Sequence, residues 1–382
     1  MVKMKWCGGI CVSMCLFWSS IEIAKAGNGT RLPRSGIAGI RPLAMGQAFT
    51  AVADDQNALY YNPAGLGRIN RWSLEILSPS IGWNQNLSLD KKEQFESLAA
   101  SMGGDTSKSL DALDSQLKNF AGENYHTRVS LNPYFFMRNF GFAAFSGFEL
   151  NLMPHNPGES LADLSLEADA DIRVGGAYHF FGEKLNVGAT IAYRSRGVAA
   201  TSIDLDWLSD LSQKEKRDAR IKEAFQAGWG VGLDTGVLFT PVETWSPTLG
   251  LTILNVGDLK FKKYDKLGSV EVKAAPAALP QSVNVGLSVT PRWNKWFLRA
   301  AWDFRDLNLP IEQQKKYGLG FEGGWDNLAS VQLGLAEDAL TAGFEFRLFV
   351  LNVRYATYVT ERGYFPSQTP ERRHLLGFKV LL

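Results

Sequence analysis

The chain is 382 residues long and balances 40 Lys and Arg against 39 Asp and Glu, a formal net charge of +1 that leaves no electrostatic footprint for nucleic acid. Its three cysteines, Cys7, Cys11 and Cys15, all stand near the N-terminus, which excludes a disulfide-stapled scaffold for the rest. No later apolar run reaches the roughly 20 residues that a membrane helix needs, so a membrane-embedded chain would have to cross with strands closed into a barrel.

Lys3 and Lys5 lead into an apolar segment from Ile10 to Trp18, and Ala24-Lys25-Ala26 follows as a small-x-small cleavage pattern. Residues 1–26 read as a secretory signal peptide cut before Gly27. The apolar segment is short for an uncleaved anchor, and Val12-Ser13-Met14 before Cys15 lacks the residues of a lipobox. Cleavage removes every thiol and leaves a net charge near minus one.

Residues 27–70 form a second unit with its own chemistry. Gly36, Gly39 and Gly46 accompany Met45, Ala48, Phe49, Ala51 and Val52, then come Asp54-Asp55 and Asn62-Pro63-Ala64-Gly65. Asp54 or Asp55 can cap a short helix through Ala58, Leu59 and Tyr60. Pro63 forces Asn62 out of helical geometry, and Gly65 permits a tight turn. A unit this poor in apolar residues cannot stand alone, and a barrel lumen is the nearest surface for it to pack against.

The run 41–66, RPLAMGQAFTAVADDQNALYYNPAGL, resembles the N-terminal hatch of the long-chain fatty acid transporter (FadL-type) outer-membrane superfamily, with its small-residue stretch, Ala-Asp-Asp, aromatic pair and Asn-Pro-Ala. The same signature is similar to that of the PorV-type barrels, which carry exported proteins in secretion. The resemblance therefore speaks more for the scaffold than for the cargo. It implies a hatch that blocks the lumen, a hydrophobic pocket, and a hatch movement that frees the route, with no cofactor, metal or covalent step. Carried onto matching positions, Asn62, Pro63 and Ala64 would form a rigid kink beside the pocket, and Met45, Phe49, Tyr60 and Tyr61 would touch an apolar ligand. Packing of these four against the barrel wall is the competing use of the same side chains.

From Trp72 onward, residues 71–382 alternate apolar and polar side chains with the period of a two-faced strand. Strands are expected near 72–79, 126–137, 141–151, 171–180, 185–197, 228–239, 247–256, 281–290, 296–305, 316–322, 329–336, 341–348, 351–359 and 374–382. That makes an all-β, antiparallel transmembrane barrel of about 14 strands, with 12 or 16 as alternatives. Connections after the odd strands are long, the eleventh excepted, and those after the even strands are short, so both termini are expected in the periplasm of a Gram-negative cell. Trp72, Trp245, Trp293, Trp296, Trp325, Phe140 and Phe181 gather near the short turns as an interfacial girdle would.

One alternating face carries Arg128, Arg173, Arg194, Asp234, Arg299, Asp303, Glu345, Arg347 and Arg354. So many charges suit a wet lumen better than the dry core of a soluble sandwich. Arg128, Arg173, Arg194 and Arg299 could pair with a ligand carboxylate, or brace the wall against acids such as Asp234, Asp303 and Glu345. Gly147, and the pair Gly175-Gly176, could admit a kink or bulge. The resemblance makes Gly147 a lateral-gate candidate, because FadL-type members release ligand through a kinked third strand. Helical spacing recurs between Leu89 and Phe120 and between Trp207 and Phe225, placing short helices in two external loops.

Catalysis finds no motif. His126, His155, His179 and His374 lack metal spacing, and no Gly-x-Ser-x-Gly elbow occurs, so the chain reads as a non-enzyme without cofactor or metal. Two functions follow as expectations: passive uptake of hydrophobic small molecules such as long-chain fatty acids, or a PorV-type protein-interaction barrel serving an exported protein. Outer-membrane lipid is a partner in either case.

Overall fold

A computed structural model describes residues 37, 39–70, 72–87, 122–155, 162–204, 214–267, 270–325, 328–362 and 367–380. The expected signal peptide and the helical spacing of 89–120 lie outside the described residues.

Fourteen antiparallel strands close a barrel. In chain order they are β1 (Ser73–Glu75 and Pro79–Asn84), β2 (Tyr125–Leu131 and Tyr134–Met137), β3 (Phe140–Pro154), β4 (Ala162–Phe180), β5 (Leu185–Ile203), β6 (Phe225–Phe239) and β7 (Thr248–Leu254). They continue as β8 (Ser282–Val289), β9 (Trp296–Phe304), β10 (Tyr317–Trp325), β11 (Ala329–Ala336), β12 (Ala339–Leu348), β13 (Leu351–Glu361) and β14 (Pro370–Val380). Each pairs with its neighbour, and closure comes where Ser80 faces Gly377 and Asn84 faces Arg373 across β1 and β14. A closed ladder leaves no backbone group unpaired toward lipid, which is why strands can cross where loops cannot.

The expected alternation is present and has the inverted sense of a membrane barrel. Along β5, Val187, Ile191 and Tyr193 are exposed while Asn186, Thr190 and Arg194 are buried. Along β9, Leu298 and Trp302 are exposed while Arg299 and Asp303 are buried. Apolar outer faces of this kind are stable against lipid and costly in water. Trp72, Trp245, Trp293, Trp296, Trp325, Phe140 and Phe181 are all exposed near the short-turn end.

Connections at one end are short, at 138–139, 181–184, 240–247, 290–295, 326–328 and 349–350. At the other end 85–124, 204–224, 255–281 and 305–316 are long and 337–338 is short as expected, but 155–161 and 362–369, expected to be long, are no longer than 240–247. The helix expected between Trp207 and Phe225 is an α-helix over Lys214–Ala224.

Four strands depart most from expectation. The closing part of β1 begins at Pro79, where the expected strand ended, because Pro79 can start an edge pairing that does not need its N–H. β4 and β5 run farther at the loop end than the expected 171–180 and 185–197, since Ala-Asp-Leu-Ser-Leu-Glu alternates with residues too small or acidic to stand out as greasy. The expected strand 126–137 is interrupted at Asn132-Pro133, where proline removes a ladder donor. Opposite, Glu75 faces Tyr134 and Pro79 faces Leu131, so Ile76–Ser78 bulge against that pair of residues.

Candidate functional site

The buried apolar cluster lies inside the barrel and is built mostly from residues preceding β1. Met45, Phe49, Val52, Leu59 and Leu66 pack there against Tyr134, Phe136 and Phe145 of the wall. This N-terminal segment holds α1 (Ile40–Ala44), α2 (Ala58–Tyr61) and a 3-10 turn over Pro63–Arg68. Neither Asp54 nor Asp55 caps α2, whose N-cap is Asn57 with no side-chain cap bond; Asp55 Oδ1 instead accepts the Asn57 backbone N–H at 2.8 Å in the turn before it. Asn62 leaves helical geometry at φ −156°, as the following proline demands. Its amide donates to the carbonyls of Thr50 (2.7 Å) and Val237 (3.3 Å), and its carbonyl accepts the Ala64 N–H.

Wall glycines let the segment's backbone approach closely. A Cβ at Gly334 would meet the Gly46 amide, 2.5 Å from the Met45 carbonyl carbon, and one at Gly188 would strike Pro63. Neither position can accept a side chain while the segment is seated.

Charged groups fasten what the glycines admit. Arg41 forms a two-pronged pair with Glu322 of β10 (2.8 and 2.7 Å) and reaches Asp54 (2.7 Å) and Asp55 (2.9 Å). Arg299 of β9 completes the ring, donating to Glu322 at 2.6 Å and to Asp54 at 2.7 Å. Burial alone would raise Asp54, but Arg299 and Arg41 outweigh it and hold the carboxyl well below the usual range. Arg68 donates to Thr240 and Thr248; burial lowers its guanidinium to about 10, opposed by Asp54. Asp303 takes the backbone N–H groups of Phe49 (2.8 Å) and Thr50 (2.7 Å), and Thr341 bridges the Ala44 carbonyl and the Gly46 amide.

Above the segment lies a cavity of about 120 Å3. Tyr60, Tyr61, Leu254, Leu279, Leu309 and Ile311 supply its apolar lining, and Arg173, Arg194, Asp234 and Arg305 its polar one. A second, smaller space of about 40 Å3 adjoins Tyr60, Arg128, Asn132 and Phe145. Tyr60 borders both, and its hydroxyl donates to Asn132 Oδ1 at 3.1 Å, at the interruption of β2.

The residues singled out by sequence separate into groups. Tyr60 and Tyr61 line the cavity; Met45 and Phe49 are fully buried and do not. Asn62, Pro63 and Ala64 press on the wall, with Asn62 and Pro63 against Gly236 and Pro63 and Ala64 against Gly188, and are not among the cavity's lining residues. Arg173 and Arg194 reach the cavity from β4 and β5. Arg173 pairs with Asp234 and Asp171 and donates to the Leu59 carbonyl, its guanidinium 4.7 Å from the Tyr60 ring centre. Arg128 lies 6.0 Å from the Phe145 ring centre.

Of the bracing acids expected from sequence, Asp234 braces Arg173. Asp303 instead holds backbone amides, and Glu345 accepts the Asn352 amide at 2.6 Å. Gly147 sits in an unbroken ladder, opposite Ser130 on one side and Asp169 on the other, so the wall is interrupted at Asn132-Pro133 and not there. Gly175 and Gly176 are likewise paired. Sequence reasoning missed Arg41, Glu322 and Asn132; proline inside an expected strand was the available signal for the last. Among the described residues no group of three or more His, Cys, Asp or Glu is placed to hold a metal.

The barrel has the fold of the FadL-family hydrocarbon channels. The CymD monoaromatic hydrocarbon channel superposes with a TM-score of 0.51 at 12% identity, covering 90% of this chain and 97% of that one. The Pseudomonas putida toluene transporter TodX matches at 0.52 and 9% identity over 90% and 98%. A TodX deltaS2S3 mutant matches at 0.54 and 11% over 90% and 99%. At these identities the likeness is one of fold. No protein-family model matches the sequence, and no curated protein matches it.

Proposed function

We propose that the chain is an outer-membrane channel for passive uptake of hydrophobic small molecules, with residues 27–70 as its hatch and both termini in the periplasm. The observation that carries the reading is the fastened N-terminal segment inside a closed barrel, with a partly apolar cavity on its loop side. A ligand entering between the long loops first meets the hatch at Tyr60 and Tyr61. Passage then requires the hatch to yield near Tyr60, where the small cavity and the interrupted wall adjoin. The names of the similar structures, hydrocarbon and toluene channels, agree with this class of cargo.

The cavity favours a compact ligand over a long acyl chain. A volume of about 120 Å3 compares with the roughly 150 Å3 in which an apolar protein cavity holds benzene. Proteoliposomes carrying the full chain should therefore take up labelled toluene several-fold faster than protein-free vesicles and show a smaller gain for labelled palmitate. Equal toluene entry with and without protein would refute the reading, and a larger gain for palmitate would reverse the size argument.

A further inference from the structure

Beyond the short strand β7, the wall beside β6 is continued by the connection 255–281. Lys262 pairs with Trp229 and Lys263 with Gly228, and the Tyr264 N–H donates to the Ala227 carbonyl. Strand alternation then puts Lys260, Lys262 and Tyr264 on the outer face, while Leu259 is buried inward over Gly230 and Gly232. Lys262 Nζ lies 5.7 Å from the Trp229 ring centre, and Trp229 stacks on Tyr193 at 5.8 Å. The Tyr264 hydroxyl donates to Ser195 at 3.1 Å.

Lys260 and Lys262 are exposed, and among the described residues neither has a salt bridge. Of the nearby acids, Glu271 is engaged by Lys222 at 3.5 Å, and Asp265 stands exposed. A groove of about 510 Å3 in the outer wall meets this segment at Tyr264, and neither lysine lines it. Val129 and Phe148 form one bank, Phe225 and Tyr264 the other, with Ala168 and Ala170 between them.

Trp229 stands about ten residues along β6 from the 240–247 turn. At about 3.3 Å per residue and a tilt near 40°, that is roughly 25 Å, the height of a barrel's apolar band. The cations and aromatics therefore sit at the interface opposite the short turns, level with the groove and above the exposed Val231, Leu233 and Ile191 of the wall. Lysines at that depth meet phosphate, and indole and phenol rings settle at headgroup level.

We propose that this outer face binds a phosphorylated glycolipid of the outer leaflet, with a phosphate on Lys260 and Lys262 and its acyl chains on the apolar wall of Val231, Leu233 and Ile191 below them. The assignment to the outer leaflet rests on the barrel orientation given under Proposed function; it does not rest on the hatch or the cargo.

Native mass spectrometry of the full chain tests it. The detergent-solubilised protein is offered bis-phosphorylated lipid A, the same lipid with both phosphates removed, or phosphatidylglycerol. Wild type should retain the phosphorylated glycolipid at least tenfold over its dephosphorylated form. Lys260→Glu/Lys262→Glu should lose that preference while keeping the mobility of a folded barrel in unboiled gels, and Lys260→Arg/Lys262→Arg should keep it. Equal retention of the two glycolipids, or a preference unchanged in the Glu variant, would overturn the site. Phosphatidylglycerol held as tightly as lipid A would overturn the outer-leaflet source. Toluene entry without phosphate preference refutes only the lipid site, and the opposite result refutes only the transport reading.

Discussion

The N-terminal segment is held in two different ways on its two sides. Toward β9, β10 and β12 it is fixed by the Arg41–Glu322–Arg299–Asp54 ring, by Asp303 on two backbone amides and by Thr341, with glycine surfaces pressed together behind. Toward β1, β2 and β14, Tyr60 bonds Asn132 and Gln56 accepts from Lys379, beside a small void and an interrupted wall. Breaking a buried ion pair costs about 3–5 kcal/mol, whereas the neutral Tyr60–Asn132 bond contributes about 1 kcal/mol and the charged bonds from Lys379 to Gln56 and from Arg173 to the Leu59 carbonyl about 1.5–3 kcal/mol each. Motion is thus expected to begin at Tyr60 and to leave Arg41 in place. Under the proposed function, a segment that pivots on its ionic side would admit a small ligand without opening the whole lumen to water.

The largest disturbance of this asymmetry should come from Gly334→Leu. The added side chain meets backbone at Gly46 and Met45 that cannot turn aside, so the cost should exceed the usual 1–3 kcal/mol of overpacking. The expected result is an unseated segment, read as raised ion conductance in planar bilayers; a closed barrel in that variant would count against the close approach. Arg41→Ala comes next, because Glu322 keeps only Arg299 and Gln332 and Asp54 keeps only Arg299 among these contacts. A loss of about 3 kcal/mol is expected, seen as a lowered midpoint for the heat-induced gel shift. Tyr60→Phe should be mild, about 1 kcal/mol, and should speed toluene entry a few-fold by releasing Asn132.

Smallest of all should be the response to moderate acid. Asp54 is depressed in the folded chain, so its contribution is fully present above its unfolded value, about 3.9, and is lost only as pH falls through the lower folded value. Conductance should therefore stay flat from pH 7 to about pH 4. A steep rise near pH 6 would place the controlling group elsewhere.

Outer faces were legible because lipid selects side chains by one property at every second position, so the run of β5 or β9 could be read residue by residue. Inner charges were legible as a face but not as partners. Arg299 and Glu322 stand across the β9–β10 ladder, a pairing that sequence offers no means to tell from many others, and Arg41 joins them only once the segment is inside the barrel. The wall glycines were unreadable for a related reason: each is unremarkable in its own strand, and the surface they make exists only after closure. Pro133 was readable and was overridden by the apolar pattern on both sides of it.

Hydrogen exchange of the full chain in detergent, with and without saturating toluene, tests the two-sided account most directly. Amides of residues 40–54 should keep their protection in both conditions, while those of 56–62 exchange at least tenfold faster with toluene present. Loss of protection that begins in 40–54, or that spreads evenly over both stretches, would contradict a hatch that pivots on its ionic side.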